Sequence, residues 1–184
     1  QISEDFDSGL ANAYTTGSQT LDSGTWQTVN VFQEAGNASR GGSGAAARLN
    51  DNKSESSITT PLLNGVGVIS FWYRELNSGG GDILIQTSND GSTFSTIDTQ
   101  AYSGQTFSEY TYTLNDPASI YIKIRISNEN GHLIVDDFST TAPSGNLTIS
   151  SDKTINNSQS YSSVTVNSGN TLTISRTGNL TISG

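Results

Sequence analysis

The chain has 184 residues, with 17 acidic against 8 basic side chains, no cysteine, and only 14% charged residues. The net charge of −9 argues against binding to DNA or RNA, which needs a basic surface. The absence of cysteine excludes disulfides and cysteine zinc sites. No apolar run approaches the length of a membrane span. The opening QISEDFDSG has neither Met nor a leader, which fits a mature exported chain or a cloned fragment, so we expect a secreted, extracellular or cell-surface protein.

Short runs of β-branched and aromatic residues, separated by turn-forming Gly, Asn, Asp and Ser, predict an all-β protein. No segment shows helical periodicity. Strands this short and numerous in residues 1–140 predict a two-sheet β-sandwich of jelly-roll type. The nine predicted strands are Glu4–Asp7, Thr25–Phe32, Ala45–Asn50, Ser56–Thr60, Val66–Leu76, Asp82–Ser88, Thr106–Leu114, Ile120–Ser127 and Leu133–Phe138.

Residues 141–184 have a different pattern, built from near-copies of a short motif such as NLTIS, TLTIS and again NLTIS. Regular short strands with Asn, Ser and Gly corners are typical of a β-solenoid. We therefore predict a solenoid-like repeat segment, the first rungs of a longer array, and a flexible Ser/Thr-rich linker is the alternative. Apolar residues recur at steps of 8, 9, 8 and 8 residues, at Leu147, Ile155, Val164, Leu172 and Leu180.

Acidic residues surround a phenylalanine at both ends of the predicted sandwich, in SEDFDSG and in VDDFST. The first and last strands of a jelly roll can lie side by side, which would gather Asp5, Asp7, Asp136 and Asp137 at one edge. Carboxylates with no His or Cys nearby favour Ca²⁺ over transition metals. The alternative is that these acids are solvated strand ends.

The segments EDFDSG, ITTPLL…ISFWYRE and HLIVDDFS, in this order, resemble calcium-binding jelly rolls of the cleaved-adhesin and MAM-like type. Similar frames occur in jelly-roll carbohydrate-binding modules. The resemblance covers about residues 3–140, and the C-terminal repeats resemble those of bacterial proteins exported by type IX secretion. It implies a structural Ca²⁺ held by Asp7, Asp136 and a backbone carbonyl near Arg48. It leaves open whether Asp5 and Asp137 bind the ion directly.

Alternation along the strands predicts a ligand-binding face. With isoleucines 120, 122, 124 and 126 inside, the residues between them project outward. If three of the strands share one sheet, aromatic rings for sugar stacking lie beside guanidinium groups for sulfate or carboxylate. Alternatively, the loop NASRGGSG or the solenoid covers Trp72, and the arginines pair with nearby acids. The predicted ligand-binding residues are Arg48, Trp72, Arg74, Tyr121, Lys123 and Arg125, with Gln86 on the next strand.

These features predict a non-catalytic carbohydrate-binding module for an extracellular polysaccharide, with an anionic one favoured by the arginines. The alternative is a calcium-stabilised adhesion or structural module that binds protein or a cell surface, which is preferred if Trp72 is buried. Loops at residues 37–44, 77–81 and 128–132 are a second possible binding region. An enzyme is disfavoured, because His132 has no nucleophile beside it and Glu75 or Glu109 alone reads as a surface charge. Attachment to a cell surface or to a parent enzyme stays open.

Overall fold

The computed structural model describes residues 1–36, 39–42, 44–50, 52, 54–127, 130–143, 145–156, 158–161 and 163–182. Every regular element in this part of the chain is a β-strand. None of it forms a helix long and apolar enough to cross a membrane. The strands of the first 140 residues are β1 (Ser3–Glu4), β2 (Thr15–Leu21), β3 (Gly24–Gly36), β4 (Gly44–Leu49), β5 (Ser57–Thr59), β6 (Leu63–Glu75), β7 (Gly81–Ser88), β8 (Ser95–Tyr102), β9 (Ser108–Ser127) and β10 (Leu133–Thr140).

These strands form two packed layers, joined because β3 and β9 each run from one layer into the other. The second half of β3 pairs with β4, whereas its first half pairs with β2 and β5. The first half of β9 pairs with β6, and its second half lies between β5 and β7. Layer 1 is therefore built around β4, β10 and β6, with β1 on the edge of β10. Layer 2 has the order β2, β3, β5, β9, β7, β8.

The core between the layers confirms the predicted β-sandwich and the alternation of β9. The isoleucines at 120, 122, 124 and 126 are all at most 3% exposed. Trp26, Phe6, Phe71 and Phe138 fill the centre and are fully buried. Burying side chains of this size stabilises the fold by roughly 2–3 kcal/mol each.

Three features of the strand arrangement differ from the prediction. β2 and β8 were not predicted, because both are edge strands that pair on one side only and carry mostly polar side chains. β9 is one continuous strand, whereas two strands were predicted on either side of Asp116–Pro117. Proline is tolerated there because the register with β6 is irregular at this point, so the missing N–H breaks no regular ladder.

The described residues of the C-terminal region form six short strands, and the pairings between them are all parallel. They are β11 (Asn146–Ile149), β12 (Lys153–Ile155), β13 (Ser158–Tyr161), β14 (Ser163–Val166), β15 (Leu172–Ile174) and β16 (Asn179–Ile182). β14 lies on β11, β15 on β12 and β16 on β13. We call this region the coil: its first turn is β11–β13 and its second turn is β14–β16. That the coil belongs to a longer solenoid, and that it is a domain separate from residues 1–140, stay predictions.

Candidate functional site

The two ends of the sandwich meet at one edge of layer 1, as the sequence predicts. β1 pairs antiparallel with β10, with Ser3 opposite Ser139 and Glu4 opposite Phe138. Phe6 and Phe138 are fully buried, and each packs edge-on against Trp26 with ring centroids 5.3 Å apart. The acids that flank these two phenylalanines are therefore brought to the same edge.

Backbone irregularities explain how neighbouring acids can face the same space. Phe6 and Asp137 have left-handed φ angles of 55° and 47°. The pairing of β10 with β6 also loses its register between Asp136 and Ser139, which is a bulge. A regular strand would send Asp136 and Asp137 to opposite faces, whereas a bulge with one left-handed residue can turn both toward one side.

The acids line a cavity of about 430 Å³, which we call the acidic cavity. Asp136 accepts hydrogen bonds from the backbone N–H groups of Arg40 (2.7 Å) and Asp137 (2.9 Å). Asp7 accepts one from the N–H of Ala45 (2.7 Å). Gly44 lies beside it, and a Cβ at this position would overlap the Asp7 carboxylate unless that side chain moved. The lining residues are Asp5, Asp7, Ser39, Arg40, Gly41, Gly44, Asp136 and Asp137.

The acidic cavity holds four carboxylates and one guanidinium, so its charge is unbalanced. Arg40 pairs with Asp137, with 2.8 Å between Nη1 and Oδ2. Burial raises the pKa of Asp136 to about 6, and the charges of Asp137 and Asp7 add to this, while the N–H donors of Arg40 and Asp137 oppose it. A cation bound beside Arg40 would reduce this excess of negative charge.

The side chains that could bind a cation here are four carboxylates, with the hydroxyl of Ser39, and oxygen ligands of this kind suit Ca²⁺. However, no three acidic or histidine side chains among the described residues form a ready-made metal-binding group. The pairing of Asp137 with Arg40 and the N–H bonds to Asp7 and Asp136 account for this spacing. An ion would have to draw the carboxylates together.

Arg48 is not among the residues that line this cavity, and the role of a backbone carbonyl near it in binding an ion stays a prediction. Arg48 sits within β4, opposite Phe32 of β3 and Ile134 of β10. The backbone at the cavity is instead that of residues 39–41 and 44. The Arg48 side chain donates hydrogen bonds to Tyr14 Oη (2.6 Å) and Glu34 Oε2 (2.5 Å), so it is occupied within the protein.

The prediction that all the basic and aromatic residues share one face is wrong. β4 and β6 lie on either side of β10 in layer 1, whereas the second half of β9 belongs to layer 2. The physical reason is the passage of β9 from one layer to the other. The outer face of layer 1 therefore carries Arg48, Trp72 and Arg74, and the outer face of layer 2 carries Gln86, Tyr121, Lys123 and Arg125.

On the outer face of layer 1, the predicted sugar-stacking residue Trp72 is partly exposed and has a guanidinium over its ring. The guanidinium of Arg40 lies 4.0 Å from the centroid of the Trp72 ring. Arg40 belongs to the loop NASRGGSG, so this loop places one side chain over the Trp72 ring, which stays partly exposed. Arg74 in turn lies over the ring of Phe107, 5.2 Å from its centroid. The basic groups on this face are thus engaged with neighbouring aromatic and acidic side chains.

The outer face of layer 2 contains a cleft of about 320 Å³. Its floor follows from the register of three neighbouring strands, in which Gln27 lies opposite Thr59 and Thr59 opposite Lys123. Side chains from these strands and from the loop that follows β7 form its walls. The lining residues are Gln27, Val29, Ser57, Thr59, Asp90, Gly91, Phe94, Tyr121 and Lys123.

The loop after β7 is ordered by one carboxylate. Asp90 Oδ1 accepts hydrogen bonds from the N–H groups of Thr93 (2.7 Å) and Ser92 (2.8 Å) and from Ser88 Oγ (2.8 Å). These bonds hold the pKa of Asp90 well below its usual range. Gly91 has a φ of 72°, and a Cβ there would lie 3.1 Å from the Tyr121 ring. The loop thereby packs on Tyr121 and brings Phe94 to the cleft.

Two cations lie at or beside this cleft. Lys123 Nζ is 4.0 Å from the centroid of Phe94 and 3.8 Å from Glu55 Oε1. Arg125 follows on the same face, and its buried Nε has no hydrogen-bond partner in the described part of the chain. Gln86 is paired within layer 2, where it donates to Thr96 Oγ1 (3.0 Å).

Sequence reasoning found Tyr121 and Lys123 but missed most of the cleft. Phe94 and Asp90 lie in SNDGSTF, which follows the predicted strand Asp82–Ser88 and was not assigned to a binding site. The hydrogen bonds that Asp90 accepts within this loop could have been predicted from the sequence, because Ser, Asn and Asp side chains favour such local bonds. Its position over the layer 2 face was not readable, because that depends on strand order.

The remaining predicted positions take structural roles. Glu75 is only 1% exposed, so it is not a surface charge: its carboxylate accepts hydrogen bonds from the N–H groups of Ser78 and Gly104. His132 is buried, with its ring 6.2 Å from that of Tyr14. Of the predicted rim loops, the segment 77–81 is described, whereas residues 37, 38, 43, 128 and 129 lie outside the described residues.

No protein-family model and no curated protein matches the sequence. Several solved structures have a similar fold. The K1 cleaved adhesin domain of Lys-gingipain from Porphyromonas gingivalis W83 is 15% identical, with a TM-score of 0.58 over 77% of this chain and 97% of that chain. The C-terminal family 22 carbohydrate-binding module of Xyn10B from Clostridium thermocellum is 10% identical, with a TM-score of 0.52 over 77% of this chain and 93% of that chain.

A third similar structure is the CBM22-1 xylan-binding domain of Xyn10C from Paenibacillus barcinonensis, at 14% identity and a TM-score of 0.50, covering 74% of this chain and 90% of that chain. At these identities the likeness concerns the fold alone. The chain therefore has the β-sandwich fold of cleaved adhesin domains and carbohydrate-binding modules, which confirms the predicted resemblance at that level.

Proposed function

We propose that the chain is a non-catalytic carbohydrate-binding module that binds an extracellular polysaccharide through the layer 2 cleft. The observation that carries this proposal is the composition of the cleft: two aromatic rings, Phe94 and Tyr121, stand beside the hydroxyls of Ser57 and Thr59 and the amide of Gln27. Aromatic rings stack on the apolar faces of sugars, and hydroxyl and amide groups bind their hydroxyls.

The finer form of the proposal is an anionic polysaccharide. Lys123, which lines the cleft, supports it because its ammonium group can bind a sulfate or carboxylate. Glu55 and Asp90 at the same cleft act against it by like-charge repulsion. The similar structure of a xylan-binding domain supports carbohydrate binding in general, but it does not indicate which sugar this chain would bind.

The test is native affinity electrophoresis in gels that contain neutral polysaccharides (xylan, laminarin, agarose) or anionic ones (alginate, carrageenan, fucoidan). We expect at least one gel to retard the protein and the Phe94→Ala variant to lose this retardation. Phe107→Ala is the matched control, because Phe107 also lies under a cation but on layer 1. Retardation by no gel, or its equal loss in both variants, would overturn the proposal for these sugars.

We also propose that the acidic cavity binds a structural Ca²⁺ ion. Asp5, Asp7, Asp136 and Asp137 would supply carboxylate oxygens, with backbone oxygens from residues 39–41 and 44. Since Asp5 and Asp7 follow β1 and the other two lie in β10, the ion would tie the two ends of the sandwich together. Support comes from the donor chemistry and from the excess of carboxylates over the single guanidinium of Arg40.

The second candidate function is an adhesion or structural module that binds protein or a cell surface. It is favoured by the likeness to a cleaved adhesin domain and by the outer face of layer 1, where Arg40 lies over the Trp72 ring and Arg74 over the Phe107 ring. Failure of every polysaccharide gel, with the protein still stabilised by Ca²⁺, would favour this function.

The cellular context that fits either function is outside the cell, either free or at the cell surface. In the same proposal the coil is the start of a solenoid-like spacer that separates the sandwich from a cell surface or from a parent enzyme. The parallel pairing of its strands in three two-stranded sheets supports this role.

A further inference from the structure

The second turn of the coil has large apolar side chains in contact with water. Val166, Ile174 and Ile182 are 43%, 49% and 56% exposed, and only one other large aliphatic residue of the described chain, Leu62, is comparably open. Each of the three lies at the end of a different strand of the turn. The exposure is therefore shared by all three sides of the coil and does not come from one misplaced residue.

The same positions in the first turn are buried. Val166 lies directly opposite Ile149, Ile174 opposite Ile155, and Ile182 opposite Tyr161. These three partners are at most 6% exposed. The second turn thus covers the apolar residues of the first, and no described residue covers those of the second.

The edge of the second turn that faces away from the first turn also has no neighbouring strand among the described residues. β14, β15 and β16 each belong to a two-stranded sheet, so among the described residues each pairs along one edge only. Unpaired strand edges beside exposed aliphatic residues promote association with further strands. We call these three edges together the open edge of the coil.

The edges of the sandwich show the opposite character. Its edge strands β2 (TTGSQTL) and β8 (STIDTQAY) present mainly Ser, Thr, Gln and Asp to solvent, which discourages pairing. The same chain therefore protects its permanent edges with polar residues and leaves aliphatic residues at the open edge. An edge of this composition would be stabilised by a strand that covers it.

We propose that the open edge binds a third turn of the same chemistry: three short strands, parallel to β14, β15 and β16, each with an inward aliphatic residue. The interface between the first and second turns is the template, since it is parallel and in register on all three sides. A second copy related by a two-fold axis would instead bring its strands antiparallel to the edge. The occupant that continues the existing interface is a further parallel turn.

The test uses the complete chain with residues 163–182 repeated after Gly184 as a third turn. The matched control carries the same repeat with Asn in place of its aliphatic residues, the copies of Val164, Val166, Leu172, Ile174, Leu180 and Ile182. Hydrogen exchange is measured at the amides of β14, β15 and β16. We expect exchange at least 10-fold slower with the aliphatic repeat than with the control or the original chain.

Equal exchange rates with the aliphatic and the Asn repeat would overturn the proposal. A second overturning result comes from sedimentation of the original chain. If it forms dimers that Val166→Thr, Ile174→Thr and Ile182→Thr abolish, the open edge binds a second copy and not a third turn. A monomer over the whole concentration range, together with slow exchange in the aliphatic repeat, is the result that supports it.

Discussion

The outer faces of the two layers have similar side chains but different shapes. Layer 1 carries Arg40, Arg74, Trp72 and Phe107, and its cations lie directly on its aromatic rings. Layer 2 also has a cation on a ring, Lys123 on Phe94, but there the loop after β7 rises beside the strands and creates a cleft. The comparison teaches that similar aromatic and basic residues leave a concave space for a ligand where a loop rises beside the strands.

The largest effect should come from the acidic cavity, which adjoins the layer 1 face through Arg40. Addition of Ca²⁺ at about 100 times its Kd should stabilise the protein by about 2.7 kcal/mol, because the ion binds the folded state alone. For a chain of this size that is a rise in Tm of roughly 5–10 °C, reversed by EDTA. Asp7→Asn and Asp136→Asn should abolish the rise, measured by calorimetry.

Two comparisons control this experiment. Asp22→Asn, in the exposed turn between β2 and β3, should leave the Ca²⁺ effect intact. Polysaccharide binding by the layer 2 cleft should change little with Ca²⁺ at a temperature where the protein is folded in EDTA. Equal stabilisation of the Asp136→Asn variant by Ca²⁺ would contradict a site in the acidic cavity.

The pH dependence of the free energy of unfolding, measured in EDTA, should report the buried position of Asp136 in the acidic cavity. Burial gives Asp136 a folded-state pKa of about 6, above its ordinary value of about 4. The folded state therefore holds this proton more tightly. Its contribution, at most about 3 kcal/mol, is complete below pH about 4 and is lost as the pH rises through about 6.

Denaturant unfolding at pH 4, 5, 6 and 7 measures this loss. Asp136→Asn should flatten the profile between pH 4 and 7, whereas Asp22→Asn should leave it unchanged. A profile of Asp136→Asn that falls as steeply as that of the unsubstituted protein would show that another group is responsible.

A feature of the fold or of the candidate sites was predictable from the sequence where it depends on residues close together in the chain or on the order of the strands at the two ends. The buried isoleucines of β9 follow from strand alternation alone. The meeting of the acids follows from their position in the first and last strands. The course of β9 between the layers was not predictable. Pro117 indicates a strand break in the sequence, whereas in the structure it is tolerated because the register with β6 is irregular at this point. For that reason the ligand residues were assigned to one face.

The contact between Arg40 and the Trp72 ring was also not predictable from the sequence. Alternation correctly places Trp72 on the outer side of β6, but the guanidinium over its ring is that of Arg40, which is 32 residues away in sequence. The position of Phe94 was also not predictable. Its loop consists of turn-forming residues, and only the strand order shows that this loop lies over Tyr121 and Lys123. Contacts between a loop and a sheet face depend on tertiary structure that no local pattern reports.

A smaller change should separate the roles of the loop and of the strands in the cleft. Gly91→Ala places a methyl group 3.1 Å from the Tyr121 ring and strains a left-handed residue. We expect a loss of about 1 kcal/mol in stability and a several-fold weaker affinity for polysaccharide. Gly36→Ala is the matched control, because it also has a positive φ but no atom within 4 Å of the new Cβ. It should lose stability without losing affinity.

The central claim is that the layer 2 cleft, and not the layer 1 face, binds the polysaccharide. Isothermal titration with a soluble oligosaccharide of the polysaccharide that retards the protein tests it most directly, with Tyr121→Ala compared with Trp72→Ala. We predict a loss of affinity of at least 10-fold for Tyr121→Ala, about 1.4 kcal/mol, and less than a 2-fold change for Trp72→Ala. A loss confined to Trp72→Ala would contradict the account.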